Sequence, residues 1–437
     1  MNWLNQETAA AWRSEGHRYA REINEYVRLG MESGWDKKLK EPENDSRSKL
    51  AADVWKMIRE ANKAGEVEQL RQELPAATWP LVDSYREDTQ AIKSISFVGE
   101  SSVIFRAGTS WEEGAVYTAG KHGICKMPEL SLVGRSVQGS VYALVGPDDI
   151  RLIRKPDVQL QGEELAVLPW STIKRQLKEE MPNLETLADC ERPDQIIEEV
   201  IPFSDGSGLL LVSSEGIYLI GKDRTQLLHP SASELEENEM DNTSIAMAHG
   251  SVSPDERWLA FGSQSSDHLL LDRSTGKVHS IYPESSYPHY SVFTHDGQQA
   301  WFNSCHFYNG STIRVPLDEV LSGASDKREE WPLAEDGARV YAAGVLSDGV
   351  VLGDAYGYLR MIDVEGAELW RHFVGSTISG MAVSDDEGVL AVGTYGGMLH
   401  LLDLRAESMD EYSIGTGTIR ELGRYVVWKS EAEPLRW

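Results

Sequence analysis

Two kinds of apolar spacing divide the chain. From Gln6 to about Arg86, apolar residues such as Ala10, Tyr19, Ile23, Tyr26, Val27 and Met31 recur at threes and fours with charges between them, which is the period of an amphipathic helix. Gly30 and Gly34 punctuate that run. After a polar stretch from Lys37 to Ser48 carrying Pro42, Asn44 and Asp45, the spacing of Leu50, Val54, Trp55, Ile58 and Ala61 predicts a second helix ending near Gly65. A third, short helix runs from Val67 to Leu74 and stops at Pro75. Residues 1–90 therefore read as a helical N-terminal region, either capping the remainder of the chain or serving as a separate docking module.

After Ile92 the chain changes to short β-branched and aromatic runs broken by Gly, Asp and Asn turns, the pattern of an all-β repeat. Turn-like pairs fall at Gly99-Glu100, Val137-Gln138, Asp205-Gly206, Pro254-Asp255, Asp296-Gly297, Asp348-Gly349, Asp386-Glu387 and Leu422-Gly423. Most of their intervals are near the ~40–50 residues of a four-stranded propeller blade. The longest interval contains an expected helical insertion at about 163–190, with Ser171 placed to cap it and Pro182 to stop it. The reading is a mainly β chain in which residues 91–437 form a β-propeller of eight blades. Seven is the alternative, if Thr418 to Trp428 supplies strands to the first blade. Runs such as Leu209-Leu210-Leu211-Val212 and Tyr425-Val426-Val427-Trp428 suit strands buried on both faces.

The late repeats are the most regular. Residues 251–262 read SVSPDERWLAFG, residues 351–370 read VLGDAYGYLRMIDVEGAELW, and residues 391–404 read AVGTYGGMLHLLDL. In the last two, Gly353, Tyr356-Gly357, Leu359 to Asp363, Gly366 and Trp370 match Gly393, Tyr395-Gly396 and Leu399 to Asp403, although the second copy lacks the closing Trp. This pattern resembles the quinoprotein-like, or PQQ-like, repeats of bacterial propellers, cousins of the WD40 propellers. The resemblance implies a propeller ring. Catalytic members of that family hold a pyrroloquinoline quinone in the central funnel with charged residues, a metal and, in some, adjacent cysteines. This chain has no vicinal cysteine pair, so the resemblance implies the fold without the activity, and no cofactor is expected. Trp331 and Trp370 fit structural wedges between neighbouring sheets.

Composition narrows the function classes. With 42 Lys+Arg against 70 Asp+Glu, the formal charge is −28, which opposes a nucleic-acid backbone or an anionic membrane surface as partner. A 41% hydrophobic share excludes wholesale disorder. Cys125, Cys190 and Cys305 make no disulfide framework or CxxC spacing, and no apolar run approaches a membrane span, so the expected compartment is the cytoplasm. No GxSxG elbow, HExxH or GxxxxGK[ST] loop occurs, so an enzyme is the less favoured class. The turn acids Asp205, Asp255, Asp296, Asp348 and Asp386 read as hairpin residues bonding their own backbone rather than as a cation ring.

The densest gathering of aromatic and imidazole side chains lies between Tyr282 and Tyr308. A metal site from Cys305, His306 and His289 or His295 fits the donor chemistry, but adjacent Cys305 and His306 point to opposite faces of a strand. The competing readings are packing of an irregular blade and a partner-binding patch built from Tyr282, Tyr287, His289, Tyr290, His295, His306 and Tyr308. The functional expectation is a non-catalytic protein-interaction platform of a bacterial cytoplasm. Its charge suggests a basic partner, in the specific case an immunity protein against a basic toxin. The alternatives are a quinone-dependent dehydrogenase or hydrolase working at the central opening, and a structural subunit docked through the N-terminal helices.

Overall fold

Strands that are apolar on both sides can be satisfied only if each sheet is covered by another on either face, and a ring of sheets does this with no terminal layer. The computed structural model, which describes residues 2–36, 38–99, 101–120, 123–323 and 330–437, shows that solution. Seven antiparallel sheets follow one another in sequence order, each a meander of four strands, with extra strands on the last two. Their innermost strands are Ile92–Val98, Leu132–Arg135, Ile197–Pro202, His249–Val252, Tyr287–Phe293, Val340–Leu346 and Ile378–Val383, and we number the blades 1 to 7 in that order.

The molecule is thus a seven-bladed β-propeller, and the expectation of eight blades is corrected. The first seven turn signals fall between the first and second strands of the seven blades, Glu100 itself lying outside the described residues. The eighth, Leu422-Gly423, lies inside a strand, Arg420–Val426, where the register slips between Leu401 and Leu402. A bulge and a turn share the same residue preferences, which is why the pair reads as a hairpin. This strand joins blade 7 as its outer strand, pairing with Met398–Asp403, and does not join blade 1. The ring closes by packing instead: Ile92, Ile95 and Phe97 of blade 1 share a core with Ala391, Leu399 and Tyr425 of blade 7.

Close approach of neighbouring blades depends on glycine, as at Gly134 of an inner strand and Gly393 of the second strand of blade 7. A Cβ at Gly134 would collide with the Val200 carbonyl of the next blade, and one at Gly393 with the Ile92 carbonyl across the closure. Asp205, Asp255, Asp296 and Asp386 accept from backbone N–H groups within their own turns, and the last three also from Ser253, Thr294 and Ser384. Trp331 is buried in the core of blades 4 and 5, while Trp370 is only partly buried against blades 6 and 7.

The helical insertion is shorter than its sequence signal. Glu163–Pro169 is the outer strand of blade 2, and the helix proper runs from Trp170 to Glu180, with Pro169 rather than Ser171 at its N-cap position. The N-terminal helices are α1 (Gln6–Glu32), α2 (Ala51–Ala64), α3 (Val67–Glu73) and α4 (Trp79–Ser84). Their apolar faces cover blade 7: Trp12, Trp55, Ile58, Leu70 and Leu81 form one core with Met398, Val426, Trp428 and Trp437. Trp437 Nε1 donates to Leu74 O and Trp12 Nε1 to Pro75 O, both at 2.8 Å. No helix among the described residues is long and apolar enough to cross a membrane.

Candidate functional site at the channel mouth

Chain direction alternates strand by strand, so connections between the second and third strands, and between successive blades, all emerge on one face of the ring. The innermost strands begin at that face and enclose a central channel of about 800 Å³, to which all seven blades contribute. The volume is that of a small-molecule pocket or an insertion site for a partner loop.

Near that face, five of the seven inner strands carry an irregularity in their pairing. In blade 3 Val212 pairs with Glu199 and Ser213 with Ile197, leaving Glu198 as the extra residue. His289 is extra in blade 5, Tyr341 in blade 6 and Ser379 in blade 7. Blade 1 slips between Lys93 and Ser96, with Ser94 held at a φ of 50°. Each of these residues lines the channel. A bulge turns a side chain out of the sheet's alternation, so the ring uses the same device five times to put polar groups where the pleat alone would place apolar ones.

Charge at the mouth is arranged in distinct states. Lys93 Nζ lies 2.7 Å from Glu198 Oε2, and Ser110 Oγ also donates to Glu198. Enclosure opposes the Lys93 charge, but the Glu198 carboxylate overcomes it and raises the ammonium above its ordinary range. Burial likewise pushes Glu198 up, and Lys93 more than offsets it and holds the carboxyl below its usual value. Glu199 is exposed to the lumen and has no hydrogen bond or ion pair among the described residues. The surrounding walls push it up to about 7, against the pull of Lys93 and with the help of Glu198.

Arg339, in blade 6, has no carboxylate at ion-pair distance among the described residues. Its Nη2 donates to His289 Nδ1 at 3.3 Å, and its guanidinium lies 4.5 Å from the centre of the Tyr341 ring. Since arginine only donates, His289 carries its proton on Nε2. Burial first, then Arg339, hold this imidazole well below its ordinary pKa, so it is neutral. Arg339 Nε and His289 Nε2 are buried with no protein acceptor among the described residues. Aromatic walls complete the mouth: Tyr341 meets His289 edge to face at 5.0 Å and Tyr395 at 5.6 Å, and burial pushes the Tyr341 hydroxyl up to about 12. Tyr290 is fixed by a bond from Ala343 N to its oxygen at 2.9 Å.

The structure divides the predicted patch. His289 and Tyr290 stand in the channel mouth, and Tyr282, Tyr287, His306 and Tyr308 lie on the rim of the same face. His295 lies on the opposite face, in the turn after Phe293. Cys305 is buried while His306 is exposed, and no group of three His, Cys, Asp or Glu residues suited to a metal occurs among the described residues. Sequence reasoning missed Lys93, Glu198, Glu199, Arg339, Tyr341 and Tyr395. One signal was available: Glu198-Glu199 and Lys93 place charges near the starts of inner strands that end in apolar runs.

Exposed aromatic side chains are distributed unevenly. Outside the helical region, the exposed aromatic residues among those described are Trp111, Tyr282, Tyr287, Phe307, Tyr308 and Tyr356, and all lie on the mouth face, Tyr287 as the first residue of its inner strand and the others in connections. Trp111 and Phe307 leave 74% and 75% of their surface to solvent. A scan of protein-family models and a search of curated proteins return no match to this chain.

Proposed function

We propose that the protein acts non-catalytically, as a platform on which a protein partner docks against the mouth face of the ring. The observation behind this reading is the collar of exposed aromatics on one face. Large amphipathic rings are the side chains that supply binding energy at interface centres, and their exposure has no packing role. The net charge of −28 favours a basic partner by speeding encounter. Neutralisation of a basic toxin is the specific form of this reading, and it rests on charge alone. Kinship with the quinoprotein-like propellers is likewise proposed only on the repeats at Gly353–Trp370 and Gly393–Asp403.

The test is site-specific photo-crosslinking in cells of the source organism. A photoreactive residue at Phe307 should trap a discrete partner, and one at Val137, on the other face, should not. Equal adducts at both positions, or none at Phe307, remove the docking reading. A trapped partner that is acidic, and whose capture is indifferent to salt, removes the electrostatic part of it.

A further inference from the structure

Among the described residues, the mouth holds one cation and one anion that have no ion-pair partner. Lys93 and Glu198 satisfy each other, but Arg339 and Glu199 each lack a charged partner among the described residues. They do not pair with one another because Arg339 belongs to blade 6 and Glu199 to blade 3, nearly opposite in a ring of seven, with the lumen between them. Leaving two opposite charges unpaired in an enclosed space costs free energy, and both could have been apolar without loss to the sheets. Arg339 is also held rigidly, between His289 Nδ1 and the Tyr341 ring, so its fork is oriented before anything binds. Its Nε is a buried donor with no protein acceptor among the described residues.

A ligand that satisfies both charges must carry a carboxylate at one end and an ammonium at the other. The walls between them are aromatic, with Tyr341 and Tyr395 in edge contact and Trp111 exposed above. We propose that the channel mouth binds a small zwitterion of the amino-acid class with a flat side chain, its carboxylate on Arg339 and its ammonium on Glu199. The channel, about 800 Å³, takes a free amino acid or a dipeptide. A longer chain does not present both charges within one lumen. The inference does not rest on the docking reading.

The test uses the full chain and four probes at pH 8, followed by saturation-transfer NMR. L-phenylalanine and glycyl-phenylalanine are zwitterions of different span; N-acetyl-phenylalanine lacks the ammonium and phenylalaninamide lacks the carboxylate. At least one zwitterion should bind, and which one binds tells the free amino acid from the dipeptide. Glu199→Gln should weaken it about tenfold or more while leaving N-acetyl-phenylalanine unchanged, and Arg339→Gln should weaken it similarly while leaving phenylalaninamide unchanged. Arg135→Gln, at the far end of the channel where Arg135 already holds Asp385 at 2.6 Å, should leave zwitterion binding unaltered. Neither side chain has an ion-pair partner among the described residues, so neither substitution should lower the thermal unfolding midpoint, and removal of the unpaired Glu199 charge should if anything raise it, which separates a binding defect from misfolding. Failure of both zwitterions to bind at ~10 mM, or binding indifferent to both variants, overturns the proposal.

Discussion

The indole of Trp55 in α2 lies on that of Trp428 in blade 7, with ring centroids 4.2 Å apart and 35° between their planes. Tyr85 stands against both, at 5.9 and 5.3 Å. The helical region therefore shares its core with the last blade, and the two are bonded at their ends as well. Asn62 pairs with the Arg436 backbone in both directions at 2.8 Å, and Lys429 N donates to Asp88 O at the same distance.

A shared core predicts shared unfolding. Removal of residues 1–88 uncovers Met398, Val426, Trp428 and Trp437 together, an apolar patch of the kind that drives association. The truncated chain should aggregate on size-exclusion chromatography, and a monodisperse truncated ring would show that the helices are dispensable to it. In the full chain, Trp428→Ala should lower stability by ~3–5 kcal/mol. Urea transitions followed by far-ultraviolet circular dichroism and by fluorescence should stay coincident.

Blade 7 also holds an ionic cluster centred on Glu421. Glu421 accepts from Arg424 at 2.7 and 2.9 Å and from His400 Nδ1 at 3.0 Å, and Arg71 of α3 approaches it at 3.4 Å. Burial alone would raise the Glu421 carboxyl, but Arg424 and then His400 outweigh it and hold it well below its usual range. A lowered carboxylate stabilises the fold at neutral pH and gives that up only as the solution is acidified through its folded value. Glu421→Gln leaves two guanidinium groups without their carboxylate and should cost ~3–5 kcal/mol at pH 7, read as a fall in the urea midpoint.

How much of this was legible beforehand depends on which interactions are local. The Asp-containing hairpins at Asp255, Asp296 and Asp386 are readable because the bonds that shape them lie within five residues. The strand Leu209–Val212 is readable because burial on both faces leaves an unbroken apolar run. Helix α4 escaped notice because it is a single turn or so beginning Trp79-Pro80, with too few residues to show a period. The strand Glu163–Pro169 was absorbed into the insertion because its first two residues are exposed glutamates beside a helix. The mouth was legible only in part, through His289 and Tyr290 in the aromatic stretch and the charges of Lys93 and Glu198-Glu199. Glu198, His289 and Tyr341 reach the lumen because their strands slip by one residue, and register depends on a partner strand. Arg339 and His289 meet across 50 residues of sequence.

The collar gives a prediction that separates binding from folding. Phe307 and Tyr308 are exposed, and the pair Phe307→Ser with Tyr308→Ser should alter stability by no more than ~0.5 kcal/mol. Loss of crosslinking to the partner, or a drop in affinity on the order of 2 kcal/mol, should accompany it. Unchanged capture by the double variant would place the contact elsewhere on the ring.

The last prediction concerns a carboxyl whose shift runs the other way. Glu335 is buried beside the junction of blades 5 and 6, where, among the described residues, its carboxylate accepts a single bond, from Ala338 N at 3.3 Å. Burial pushes its carboxyl up to about 7, with Arg360 opposing and Asp354 and Asp336 adding to the rise. Between its unfolded value near 4.3 and about 7, the folded state holds a proton that the unfolded state has released. The fold is therefore favoured at low pH, and this contribution is lost as pH rises through about 7. Glu335→Gln keeps the shape and removes the ionisation. Arg360 retains Asp354 at 3.3 Å and Glu368 at 3.4 Å, so the substitution strands no cation. The variant should be more stable than the parent at pH 8 by ~1–3 kcal/mol, and the gap should close toward pH 5, where both side chains are neutral in the fold. Urea midpoints at pH 5 and pH 8 decide it, and a variant no more stable than the parent at pH 8 would mean that Glu335 ionises without strain.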